Sequence, residues 1–230
     1  MMSSPRQLVF DLPYREALEA EDFLVSASNA AAIELIDRWP DWPHPAAIVS
    51  GPEGSGKSHL ANVWRLKVGA GLLPAPQVVD EAIANLGDMK RVVVEDVDRG
   101  LGDERALFHL LNLARENRMS VLLTARSAPG EIPIALPDLR SRLRALPHMA
   151  IDIPDEALLR AVLVKLFSDR QLDVEPQVIS YLTLRMERSM KAATRIVAAA
   201  DRLALALQRS VTRNVAAEAL ASLHDVDETE

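Results

Sequence analysis

GPEGSGKSHLANVW, running from Gly51 to Trp64, decides how the rest of the chain is read. Its first eight residues fit GxxxxGK[ST]. They follow the apolar run AAIVS (Ala46 to Ser50) and precede residues spaced as a helix, the strand-loop-helix setting of a phosphate-binding P-loop. Successive backbone N–H groups and a helix N-terminus in such a loop surround phosphate oxygens, and glycines let the backbone approach closely. The residues expected to hold a nucleotide here are Pro52, Glu53, Gly54, Ser55, Gly56, Lys57, Ser58 and His59. Lys57 reaches the β and γ phosphates, and the Ser58 hydroxyl ligates Mg²⁺.

Working outward, AAIVS, QVVD (77–80), RVVVED (91–96), SVLLTA (120–125) and MAIDI (149–153) read as buried strands. SNAAAIELIDRW, KSHLANVWRL and ERALFHLLNLARENR carry apolar residues at helical spacing between them. This alternation predicts a parallel sheet covered by helices. After IDIPDE the pattern becomes purely helical: EALLRAVLVKLFSDR, EPQVISYLTLRM, SMKAATRIVAAADRLALALQRS and TRNVAAEALASLHD. Pro176 and Ser189 supply helix starts. The expected organisation is an N-terminal segment (1–16), an α/β nucleotide-binding domain (17–153), a small helical lid domain (154–226) and an acidic tail (227–230).

Two further stretches carry charge chemistry. Val92-Val93-Val94-Glu95-Asp96 reads as a strand that ends in carboxylates, the Walker B arrangement in which one acid serves Mg²⁺ and a second the attacking water. The first acid is Glu95 rather than the usual Asp; its longer arm either reaches the metal through a water or weakens metal binding. Asp96 is the expected polarising base, and Thr124, at the end of the neighbouring strand, either orients that water or simply fills the strand. In LPDLRSRLRAL (136–146), Arg140, Arg142 and Arg144 alternate; they read either as a solvated face or as a surface loop bearing an arginine finger.

The 230 residues allow real cores, and the absence of cysteine excludes disulfides, thiolate metal sites and a catalytic thiol. The N-terminus lacks a signal-peptide pattern and no run has the length of a membrane span, so a soluble, cytoplasmic protein is expected, with no membrane partner. The formal net charge of −7 is spread along the chain, which predicts no strong unspecific attraction to DNA.

GKSHL, the VVVED strand, VLLTAR, LPDLRSRL and a helical lid with Lys191 at the start of its third helix together resemble the AAA+ module of the replication initiator DnaA, and more closely the Hda (HdaA) family of DnaA inactivators. The resemblance implies an AAA+ fold with bound ADP or ATP, Mg²⁺ at Ser58 and Glu95, and adenine contacts from Leu24 and Val25. It also implies sensor one at Thr124, a finger acting in trans at Arg142 and sensor two at Lys191, where the family usually has Arg. Gln7, Leu8, Phe10 and Leu12 resemble the family's short motif for the sliding clamp of the replicase, a polar anchor with spaced apolar plugs; without that resemblance, QLVFDLP reads rather as an edge strand or a staple onto the α/β core. The chain ends soon after the lid, so the helix-turn-helix of DnaA and its sequence-specific DNA binding are not expected. The implied function is negative control of replication initiation: binding to the DNA-loaded clamp and stimulation of ATP hydrolysis on DnaA, with weak or no hydrolysis of its own and the option of a homodimer. The alternatives from the sequence are an intrinsic ATPase serving as a helicase loader or transposition helper, and a non-hydrolysing adaptor at the clamp.

Overall fold

The computed structural model describes residues 24–227. Gln7, Leu8, Phe10 and Leu12 lie outside the described residues, as does most of the acidic tail. The chain divides into two compact units, one spanning 27–153 and the other formed by 154 onward together with Leu24–Ser26.

The first unit is built on five parallel strands: β1 (Ala46–Ser50), β2 (Gly71–Pro74), β3 (Arg91–Glu95), β4 (Ser120–Ala125) and β5 (His148–Ala150), in the spatial order β2-β3-β4-β1-β5. All five residues of β1, Val92–Val94 of β3 and Val121–Ala125 of β4 are buried, the continuous apolar run required of strands covered on both faces. The covering helices are α1 (Ala30–Asp37), α2 (Lys57–Val68), α3 (Asp80–Ala84), α4 (Glu104–Glu116) and α5 (Pro137–Ala145). Leu107, Leu110 and Leu111 of α4 and Leu139 and Leu143 of α5 join the side chains of β3 and β4 in one core. Trp64 of α2 is fully buried, stacked on Trp42 at 5.3 Å and edge-on to Trp39 at 6.1 Å, so the helix that carries the P-loop is pinned by aromatic packing.

Two expectations need correction. QVVD is not a strand: the position beside β3 is taken by Gly71–Pro74, after which Ala75–Gln77 make a 3₁₀ turn and Asp80 opens α3. Its two valines separate, Val78 fully buried and Val79 exposed at the helix N-cap. Nor is LPDLRSRLRAL a surface loop. Leu139, Leu143 and Leu146 are buried at a spacing of four and three, Pro137 occupies the first turn, and the segment forms α5.

The second unit contains α6 (Glu156–Asp169), α7 (Pro176–Arg185), α8 (Met190–Leu207) and α9 (Arg213–Asp227) around a core that includes Leu163, Phe167, Ile179, Leu182, Val197 and Ala216. Its helix starts are chemically explicit. The Asp155 carboxylate accepts from Leu158 N–H at 2.8 Å, and the Ser189 hydroxyl accepts from Ala192 N–H at 3.0 Å. Pro176 stands in the first turn of α7. α9 continues to Asp227, so the helix takes in the first residue expected of the tail.

Candidate nucleotide site

Because every strand is parallel, the segments leaving β1, β3 and β4 emerge from one edge of the sheet, where open α/β folds bind ligands. β1 leads into the P-loop. Gly51 cannot be replaced freely there: a Cβ on it would stand 2.2 Å from the Ile151 carbonyl oxygen. Gly56, at φ 105°, is the N-cap of α2, a conformation that L side chains rarely adopt. The Lys57 ammonium donates to the carbonyls of Gly51 at 2.7 Å and Pro52 at 2.8 Å and is buried under the loop. Burial pushes its pKa below the ordinary lysine value; the charge of Asp96 opposes this, Arg126 adds to it, and Asp98 and Glu53 oppose it.

The cradle fits phosphate. Ser55 is buried, and among the described residues its hydroxyl has no hydrogen-bond partner. A buried cation, an unpaired buried hydroxyl and the N-terminus of a twelve-residue helix together form a site for an anion. Ser58 and His59 sit exposed on the first turn of α2. The side chains here that would be available to Mg²⁺ are Ser58 and the carboxylates at the end of β3, and among the described residues no group of three or more His, Cys, Asp or Glu side chains could hold an ion. The remaining ligands would have to come from phosphate and water.

At the end of β3, Glu95 is the last strand residue and half-buried, and Asp96 turns into the left-handed region at φ 58°. Thr124 holds that turn: its hydroxyl, 1 % exposed, accepts from Asp96 N–H at 3.0 Å, and its carbonyl accepts from Val97 N–H at 2.9 Å. The hydroxyl keeps its own proton for a further acceptor. Asp96, Thr124 and Lys57 therefore share one end of the sheet.

Two residues to which sequence reasoning assigned no role, Asp98 and Arg126, complete this end. Asp98 accepts through Oδ2 from the N–H groups of Arg126 at 2.8 Å and Ser127 at 3.0 Å, tying the turn after β3 to the loop after β4. Its Oδ1 is buried without a partner among the described residues. Arg126 in turn reaches the P-loop, where its guanidinium pairs with Glu53 at 2.7 Å. The available signal was the last acid of EDVD and the Arg that directly follows SVLLTA.

α5 separates the three arginines. Arg140 donates to the Ile134 carbonyl at 2.7 and 3.1 Å, and Arg144 to the Gly130 carbonyl at 3.3 Å. Arg142, two residues from each and so on another side of the helix, lays its guanidinium over the Phe108 ring at 4.4 Å. Among the described residues it has no hydrogen bond or ion pair. Leu24 and Val25 precede α1 and are half-buried, and Lys191 is an exposed residue in the first turn of α8, two residues after the Ser189 cap. These three belong to the second unit.

No protein-family model matches the chain. An uncharacterised protein of Haemophilus influenzae is 24 % identical over 185 residues, which cover 75 % of this chain and 80 % of that protein. Domain III of the replication initiation protein DnaA from Thermotoga maritima superposes with a TM-score of 0.75 at 14 % identity, covering 91 % of this chain and 98 % of that one. The chain has a DnaA-like AAA+ fold. A DnaA bound to AMPPCP and single-stranded DNA gives a TM-score of 0.64 at 18 % identity, over 77 % of this chain and 62 % of that one. The RuvB Holliday junction branch migration motor of Thermotoga maritima gives 0.62 at 15 %, again over 77 % of this chain and 61 % of that one. The chain thus spans somewhat under two thirds of these longer AAA+ proteins. Among the described residues no helix is long and apolar enough to cross a membrane.

Proposed function

We propose that this AAA+ protein is an adenine-nucleotide-bound regulator of replication initiation that promotes ATP hydrolysis on DnaA by inserting Arg142 into the partner's site. The observation that carries the reading is the contrast within α5. Arg140 and Arg144 are held by backbone carbonyls of their own loop, whereas Arg142 rests on an aromatic face with its N–H groups uncommitted to any carbonyl among the described residues.

In its own P-loop the chain would hold ADP or ATP through Lys57, Ser55 and the N-terminus of α2, with Ser58 and Glu95 toward Mg²⁺ and Asp96 and Thr124 toward the terminal phosphate. Leu24 and Val25 are assigned to adenine and Lys191 to sensing the phosphates. A bound nucleotide supplies a charged, ordered ligand that stabilises the α/β unit. On the partner, water attacks the γ-phosphorus of ATP as the bond to the β–γ bridging oxygen breaks. The planar guanidinium of Arg142 stabilises the charge spread over the transferred group, an effect on the order of 10³ or more in such systems. Gln7, Leu8, Phe10 and Leu12 are assigned to the sliding clamp, so that tethering on loaded DNA raises the local concentration of finger and target.

The test is ATP turnover by DnaA in the presence of clamp-loaded DNA, with wild type, Gln7→Ala or Arg142→Ala added, and with the protein alone. Stimulation by wild type that both variants lose supports the proposal. Vigorous hydrolysis without DnaA, indifferent to both substitutions, would identify an ATPase in its own right.

A further inference from the structure

The orientation of Arg142 is set from the neighbouring helix. α4 presents Glu104 and Phe108 one turn apart on the same face. The Glu104 carboxylate accepts from Ala135 N–H at 2.8 Å through one oxygen and from Leu136 N–H at 2.6 Å through the other. Leu136 is the N-cap of α5, so one carboxylate ties down the residues that open that helix and lies at its positive end. Phe108 lies half-buried at the edge of the α4–α5 core, and the Arg142 guanidinium stacks on its ring at 4.4 Å. Glu104 therefore fixes where α5 begins and Phe108 fixes where the guanidinium on its second turn lies.

We propose that Glu104 and Phe108 are positioning residues for Arg142, holding the guanidinium oriented at the surface before a partner docks. The inference rests on the reading of Arg142 as a finger acting in trans. A long arginine side chain free in solvent has to be ordered on docking. One already laid on a π face needs less ordering, and the ring can stay beneath the guanidinium while its edge N–H groups donate charge-assisted hydrogen bonds to a phosphate oxygen.

The test uses the full chain in the DnaA turnover assay, titrating this protein to saturation so that the plateau rate and the half-saturating concentration are read separately, with the melting temperature of each variant recorded. Arg142→Ala reports on the finger itself. Phe108→Leu keeps an apolar side chain but removes the π face, and Phe108→Trp keeps the face. The expected result is a plateau lowered about two- to five-fold by Phe108→Leu, as for loss of one partly exposed cation–π contact, with the half-saturating concentration unchanged and the plateau largely restored by Phe108→Trp. Glu104→Gln, which can accept from only one of the two N–H groups, should lower the plateau in the same direction.

If Arg142→Ala abolishes stimulation while Phe108→Leu keeps or raises the wild-type plateau, the positioning role is wrong and the finger stands. Equal losses in Phe108→Leu and Phe108→Trp that track melting temperature reduce Phe108 to packing and also overturn it. Wild-type stimulation by Arg142→Ala removes the finger reading, and this inference falls with it.

Discussion

Thr124→Val isolates one hydrogen bond at the end of the sheet. Valine matches threonine in shape, so the buried site closes without a cavity and only the hydroxyl is lost. That hydroxyl accepts from Asp96 N–H at 3.0 Å, and Asp96 is held at φ 58°, a region that a non-glycine residue enters at an energetic cost. Losing the acceptor leaves a partly buried N–H unpaired, a penalty of about 1–2 kcal/mol at a site that retains some access to water. For a chain of this size about 1 kcal/mol corresponds to roughly 2–4 °C, so the melting temperature should fall by roughly 2–8 °C. Amide hydrogen exchange supplies the local readout, with protection of the Asp96 N–H selectively lost. Affinity for ATP should fall as well, because the released turn carries Asp96 at the phosphate end of the sheet. A variant that melts within a degree of wild type with Asp96 still protected would refute the claim that Thr124 holds this turn.

Lys57→Met should remove most ATP and ADP affinity in calorimetric titration while leaving the melting temperature unchanged or raised, since the ammonium is already disfavoured by burial. Gly51→Ala drives a Cβ to 2.2 Å from the Ile151 carbonyl oxygen, and thermal unfolding should show a loss of about 1–3 kcal/mol together with weakened nucleotide binding. His148 lies half-buried, 2.8 Å from the Ser50 hydroxyl, and burial lowers its pKa from the ordinary 6.5. The unfolded chain therefore takes up the proton first as pH falls, so stability is complete above about 6.5 and declines on acidification until the folded imidazole is protonated in turn. His148→Gln should flatten part of that decline in melting temperatures measured between pH 7.5 and 5.5 (about two units spanning the ordinary histidine range), with His44, also lowered chiefly by burial, supplying the rest.

Much of the fold was legible because its strands are covered on both faces. AAIVS and SVLLTA coincide with β1 and β4, since continuous apolar runs of that length bounded by turns have few other ways to be buried. QVVD misled for the same reason: two adjacent valines look like a buried strand, but Val78 is buried from the end of a 3₁₀ turn and the edge strand is the less apolar GLLP. LPDLRSRLRAL looked like a loop because the alternating arginines draw attention away from leucines at helical spacing.

At the candidate site, Gly51–Ser58 was readable from the sequence as a candidate phosphate loop, because such a loop acts through local backbone geometry that a few neighbouring residues set. The sequence also named Glu95, Asp96, Thr124 and Arg142 as the side chains to follow. Only the tertiary structure decided what surrounds them. The Asp98 link to Arg126 crosses from one strand end to another, the Arg126 pairing with Glu53 returns to the P-loop, and Glu104 and Phe108 meet α5 from a different helix. Each of these contacts joins residues between about 30 and 70 positions apart along the chain. Their distances follow from strand order and helix packing, which bring remote segments together in a way that no local spacing encodes.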